Sequence, residues 1–177
     1  MINRDDFSEA LAAYKPLDSR EAGFVPRFKE LLRYPNCYER SLLSGHLTAS
    51  CWVLNHDHSQ VLMLHHAKLN KWLQPGGHAD GDENLLRVAQ KELDEETGLT
   101  DYELISESIF DLDIHDIPER KGVPPHQHYD VRFAFRASLS SSITKNHESN
   151  ALEWVDLAKV PDEPSLQRMV TKTSQLP

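Results

Sequence analysis

Ahead of His46, apolar residues recur at the spacing of helices; from His46 onward they switch to the two-residue period of strands. Residues 5–14 (DDFSEALAAY) and 18–33 (DSREAGFVPRFKELLR) read as two helices, with Leu11, Phe24, Phe28, Leu31 and Leu32 on an apolar face. Asp18 or Ser19 is placed as N-cap, with Glu21 where a capping box needs it, and Pro26 predicts a break or kink. HLTASCWVLN and VLMLHH, joined by NHDHSQ, form a hairpin by pattern. Residues 68–71 are a polar connection and 72–74 a short extended piece. Pro75 keeps Gln74 out of helical geometry, and Gly76 and Gly77 permit close backbone approach.

A helix follows from Glu83 to Thr97, with Asp80 or Asp82 as cap, an apolar stripe of Leu85, Leu86, Ala89 and Leu93, and Gly98 as its stop. Residues 102–116 predict a strand broken near 106–108, and residues 116–127 a Pro-containing loop. Residues 128–137 (HYDVRFAFRA) predict a strand and 152–155 a short one. A C-terminal helix spans 163–174, with Pro164 in its first turn. Strands on both sides of one central helix, without regular βαβ alternation, predict an α+β fold: a mixed sheet flanked by helices as an α/β/α sandwich. The division expected is a helical extension, residues 1–44, packed on a core domain, residues 45–177.

Composition narrows the class of protein. A chain of 177 residues is most simply one domain with a substantial core, and no apolar run approaches the roughly 20 residues of a membrane helix. The first residues, MINRDDFSEALAAY, are acidic and polar where an export signal would be basic and then apolar. Cys37 and Cys51 have no metal-like spacing and read as reduced thiols of a cytoplasmic protein. A net charge of -9 argues against a nucleic-acid polymer or an anionic membrane as partner. An anionic small molecule stays open, because a bound metal reverses the local sign.

The charge is concentrated in one place. Glu92, Asp94, Glu95 and Glu96 crowd the end of the central helix, and Glu92, Glu95 and Glu96 share one surface at i, i+3 and i+4. Like charges so placed weaken a helix unless a cation sits among them, so they read as a divalent-metal platform, with Asp94 a solvated bystander. Gly77, Glu83, Glu92, Leu93, Glu95, Glu96, Gly98 and Leu99 resemble the Nudix box at every fixed position but one: Lys91 stands where that family usually has Arg. The resemblance implies a Nudix fold and hydrolysis of a nucleoside diphosphate linked to another moiety. It implies Mg²⁺ or Mn²⁺ held by Glu92, Glu95, Glu96 and the Gly76 carbonyl. Glu95, or a carboxylate outside the box, would accept a proton from the attacking water, and Glu83 would orient the loop or a more distant water. Lys91 offers a point charge where Arg offers a fork, so Glu95 is expected to be less constrained. By analogy with relatives that carry N-terminal extensions, a homodimer through residues 1–40 is the assembly to look for.

Ten histidines are the second feature. His46, His65, His66, His78, His126 and His128 fall near the expected site as a fringe for phosphate or metal. His126, His128 and Asp130 share a strand face if that strand already begins at His126, and there they read as a substrate-binding or second-metal element. Arg132 is either on a solvated face or a phosphate contact. Trp72, Tyr129 and Phe133 either stack a base or pack the sheet. LQPGGH followed by HxHYDVRF resembles one Nudix subgroup and implies no particular substrate. Two alternatives remain: an isopentenyl-diphosphate-isomerase-like enzyme, for which neither cysteine has a comparable motif, and a non-catalytic nucleotide sensor.

Overall fold

The computed structural model describes residues 3–120 and 122–177. In chain order the elements are α1 (Arg4–Ala13), α2 (Ser19–Leu31), β1 (Gly45–Leu54), β2 (Gln60–His66), β3 (Lys71–Leu73), β4 (Gly76–His78), α3 (Leu85–Thr97), β5 (Tyr102–Leu104), β6 (Asp111–Ile117), β7 (His126–Ala137), β8 (Ser149–Asp156) and α4 (Pro164–Thr173). The eight strands form one mixed sheet. Its centre is a parallel pair, β1 with β7, in register from Gly45↔Gln127 to Leu54↔Arg136. Every other pairing is antiparallel. On each side of the central pair the sheet forks. The free edge of β1 is shared between β4 and β2, and that of β7 between β6 and β5. The hairpin of β1 and β2 is therefore brief, in register at Leu54↔Val61, before β4 takes over.

Alternation along the strands sends side chains to two helical layers. Leu47, Ala49, Cys51 and Val53 of β1 pack with Val131, Phe133 and Phe135 of β7 against α1, α2 and α3. Trp52 and Leu54 face the other way, with Val61, Met63 and Ala134, against Leu166 and Met169 of α4. Trp52 Nε1 donates to Thr173 Oγ1 at 2.9 Å, which fastens α4 to the sheet.

Several local expectations change. α2 runs through Pro26 without a break. Pro26 lies on the exposed side of α2, where water can serve the carbonyl its missing N–H leaves free. Asp18 caps α2 by accepting from Glu21 N, but the Glu21 carboxylate does not return to close a capping box. It is fully buried, accepting from Leu17 N at 2.6 Å and paired with Tyr14 and Lys172. α3 starts at Leu85, with Asn84 as its cap, because Asp80 and Asp82 are engaged by Arg40 and Arg87. Its buried stripe uses Val88 in place of the half-buried Leu86. β7 starts at His126, two residues early, and β8 is longer than its central four residues.

Candidate active site

Two glycines and two carboxylates build the platform. β4 lies beside β1 with Gly76 opposite Ser50 and Gly77 opposite Ala49. α3 packs on the same strand through Ala89, whose carbonyl accepts from Cys51 Sγ at 3.0 Å. This brings the last turns of α3 onto the glycine strand. Gly76 N donates to Glu96 Oε2 at 2.9 Å. The Glu92 carboxylate fills the space a side chain at Gly77 would take: a Cβ there would lie 2.5 Å from Glu92 Oε1. At Gly76 the nearest obstruction is Ser50 Cβ, fixed to its backbone, followed by Ser50 Cα at 2.7 Å and the Ala49 carbonyl at 2.8 Å from the same imagined atom.

Glu96 is buried, and burial, with the charges of Glu92, Glu148 and Glu95 against the help of Gly76 N–H, pushes its carboxyl up to about 7. Burial and then Glu95 push Glu92 upward too. Glu95 is exposed at the rim, paired with Lys91 at 3.7 Å on an open surface. Two crowded carboxylates that resist ionisation and an open third are an oxygen donor set that fits a hard divalent cation. Glu83 points elsewhere: its partner is Arg4 of the N-terminal helix, at 3.4 Å. Glu148 carries no sequence signal that marks it, yet its charge acts on Glu96 from the loop before β8.

The histidines take the opposite side of the sheet. Gly77 faces Glu92, so His78, next on β4, turns away from α3. It meets His46 and His128, whose Cα atoms are register partners on β1 and β7. His78 Nε2 and His128 Nε2 are 3.2 Å apart. His126 stacks on His46 at 5.1 Å, and His115 of β6 lies 5.4 Å from His128. Burial, then Arg40, pushes His78 down to about 4; burial, then His78, pushes His128 down to about 2. His65 and His66 are not in this group; His65 packs on Trp72 and His66 accepts from Lys68 N.

Asp130 and Arg132 continue the same face, buried. Arg132 is 2% exposed and paired with Asp111 at 3.1 Å, Asp113 at 3.4 Å and Asp130 at 2.8 Å. Enclosed by these three carboxylates, Arg132 does not lie on a solvated face. Asp130 accepts from Thr48 and Ser50 at 3.0 and 2.7 Å and is equally enclosed. Asp111 and Asp113 are held below the usual carboxylate range by Arg132 and Arg168, against their burial. Of the aromatics, Phe133 is core, Tyr129 meets the Phe28 ring edge-on at 5.3 Å, and Trp72 remains half-buried at β3. Both thiols are buried, Cys51 against α3, away from any open surface.

A mixed sheet between helices, with a glycine strand and a carboxylate-bearing helix meeting beside it, is an architecture that gathers oxygen donors at one place. The chain belongs to the Nudix hydrolases: the NUDIX domain model matches residues 45–173. Phosphatase NudJ of Escherichia coli K12 is 28% identical over 124 residues, covering 67% of this chain and 73% of that protein. Among solved structures, the Ap4A hydrolase of C. elegans aligns with a TM-score of 0.59 at 19% identity, over 73% of this chain and 95% of that one. The MutT protein of Methanosarcina mazei aligns at 0.58 and 19%, over 74% and 94%. No helix among the described residues is long and apolar enough to cross a membrane.

Proposed function

We propose that this enzyme hydrolyses the diphosphate of a nucleoside diphosphate linked to a second moiety, by attack of water on phosphorus, with Mg²⁺ or Mn²⁺ held by Glu92, Glu95, Glu96 and the Gly76 carbonyl. The observation that carries the reading is the meeting of the Glu92 and Glu96 carboxylates with the Gly76–Gly77 strand. A divalent ion held there would supply charge to neutralise the diphosphate and would lower the pKa of a bound water. Gly76 N–H fixes the orientation of Glu96, and Gly77 leaves room for Glu92. Glu95, exposed at the rim, takes the proton of the attacking water. Lys91 steadies Glu95 through a loose surface pair, and Arg40 secures the loop through two bonds to Asp80 at 2.6 and 2.7 Å. The similar proteins, a phosphatase and an Ap4A hydrolase, support the reaction class.

The test is chromatographic detection of the cleavage products, a nucleoside monophosphate and the phosphorylated second moiety or pyrophosphate, from nucleoside triphosphates, dinucleoside polyphosphates, ADP-ribose, NADH and sugar nucleotides, with Mg²⁺ and with Mn²⁺. The parent should turn over at least one of them, Glu95→Gln should lose roughly 10²- to 10⁴-fold in kcat, the range of positioned proton transfer, and Glu96→Gln should lose activity through weakened metal binding. A parent that cleaves none of the panel and binds neither ion would reject the reading.

A further inference from the structure

The carboxylate platform uses one face of the β4 edge. The other face carries three imidazoles, supplied by three neighbouring strands: His46 from β1, His78 from β4 and His128 from β7. Backbone ladders set their positions. His46 is the register partner of His128, and His78 is that of Thr48, two residues along β1 from His46. One ring nitrogen from each lies within 4.8 Å of the others.

We propose that His46, His78 and His128 form a second metal site, separate from the carboxylate platform, which takes Zn²⁺ or a similar borderline transition-metal ion. Three features converge on it. The 3.2 Å separation of His78 Nε2 and His128 Nε2 is close to the edge of a tetrahedron with Zn–N bonds of 2.0–2.1 Å, about 3.3 Å. His46 is 3% exposed, and its Nε2 has no hydrogen-bond partner among the described residues. Its other nitrogen, Nδ1, lies 3.4 Å from the Leu42 carbonyl. A histidine ligand holds its ring in this way: one N–H is given to a carbonyl and the second nitrogen keeps its lone pair for the metal. A buried acceptor left without a donor is unfavourable, and a cation between the three rings resolves it.

The donor set selects the ion. Imidazole nitrogen suits Zn²⁺ and its neighbours, whereas Mg²⁺ takes oxygen. The two sites therefore sort two kinds of metal across one strand, oxygen donors on the α3 side and nitrogen donors behind. Three protein ligands leave a fourth position, which water or an anionic group of a ligand can take. His126 and His115 stand around the trio, at ring distances of 5.2 and 5.4 Å from His128.

The experiment uses the full chain, stripped with chelator and titrated calorimetrically with Zn²⁺ alone. Co²⁺ is read separately by visible absorption. The parent and a Glu95→Gln/Glu96→Gln double variant should both bind one equivalent of Zn²⁺ and show the intense bands of tetrahedral Co²⁺. His78→Gln and His128→Gln should weaken Zn²⁺ at least as much as loss of a supporting partner does, roughly 10- to 100-fold. Zn²⁺ should raise the Tm of the parent but not of His78→Gln, a half-buried position whose substitution leaves the core untouched. A parent that binds no Zn²⁺, or Zn²⁺ binding lost in the glutamate double variant and kept in both histidine variants, would overturn the site. Neither result bears on cleavage of the diphosphate, so the hydrolase reading stands or falls separately.

Discussion

Gly76 and Gly77 adjoin in sequence but exclude a methyl group for different reasons. At Gly77 the obstacle is the far end of the Glu92 side chain, which can swing away; at Gly76 it is the backbone of β1, which cannot. Gly77→Ala should therefore fold with nearly the parent Tm while losing Mg²⁺ affinity and kcat. Gly76→Ala should lower stability by about 1–3 kcal/mol, as overpacking does, visible in the urea midpoint. Equal loss of stability in both would contradict this division. Glu96 makes a pH prediction. Its carboxyl is raised from an ordinary 4.5 to about 7, so the folded state holds a proton that the unfolded chain releases earlier. Its contribution to stability is complete below the unfolded value and is lost as pH rises through 7. In chelator, the Tm difference between Glu96→Gln and the parent should widen in favour of the variant from about pH 5 to pH 8, while Mg²⁺ affinity of the parent rises over the same interval. A flat difference would show that Glu96 is ionised throughout. The platform residues were legible because their spacing along one helix brings them together without help from the rest of the chain. Glu148 and His115 were not: the first sits in an irregular loop, and the second meets His128 only through the pairing of β6 with β7.

At the scale of elements, most strands and helices were visible in their periodicity, and the failures share a cause. Glu21 looked like a capping residue because local spacing allowed it, but Lys172 and Tyr14, far along the chain or in the preceding loop, draw it inward. Arg132 read as solvated or phosphate-contacting because charged side chains usually face water; here β6 lays Asp111 and Asp113 beside it and Asp130. The strand pair β6–β7 is thus joined by charge as well as by its ladder. Arg132→Met should cost about 3–5 kcal/mol, since it leaves buried carboxylates short of a partner. Adding Asp130→Asn should recover part of that loss, because the amide needs no counter-charge. Chemical unfolding of the two variants measures both effects, and a single variant as stable as the parent would refute the account.

At the scale of the molecule, the N-terminal helices are tied to the core at both ends. Arg4 reaches Glu83 beside α3, and Glu21 reaches Lys172 of α4, while Phe28 packs on Tyr129 of β7. Phe7, Leu11, Phe24 and Phe28 share one cluster with the sheet, so the layer they form covers apolar surface that the remaining helices leave open. The central pair of strands has a further consequence, for how the chain acquires its shape. β1 and β7 run parallel in register over ten residues, and each matched pair is separated by about 82 positions of sequence, as between His46 and His128. Bringing such distant segments together incurs the entropy of closing a long loop before any of its contacts form. The helix that carries the carboxylates can coil early, from local forces alone, yet the ladder that sets the three histidines side by side must await the last part of the chain. The molecule should therefore fold on the slow timescale of non-local β-structure, with the oxygen-donor helix formed early and the nitrogen-donor cluster assembled only as the sheet closes.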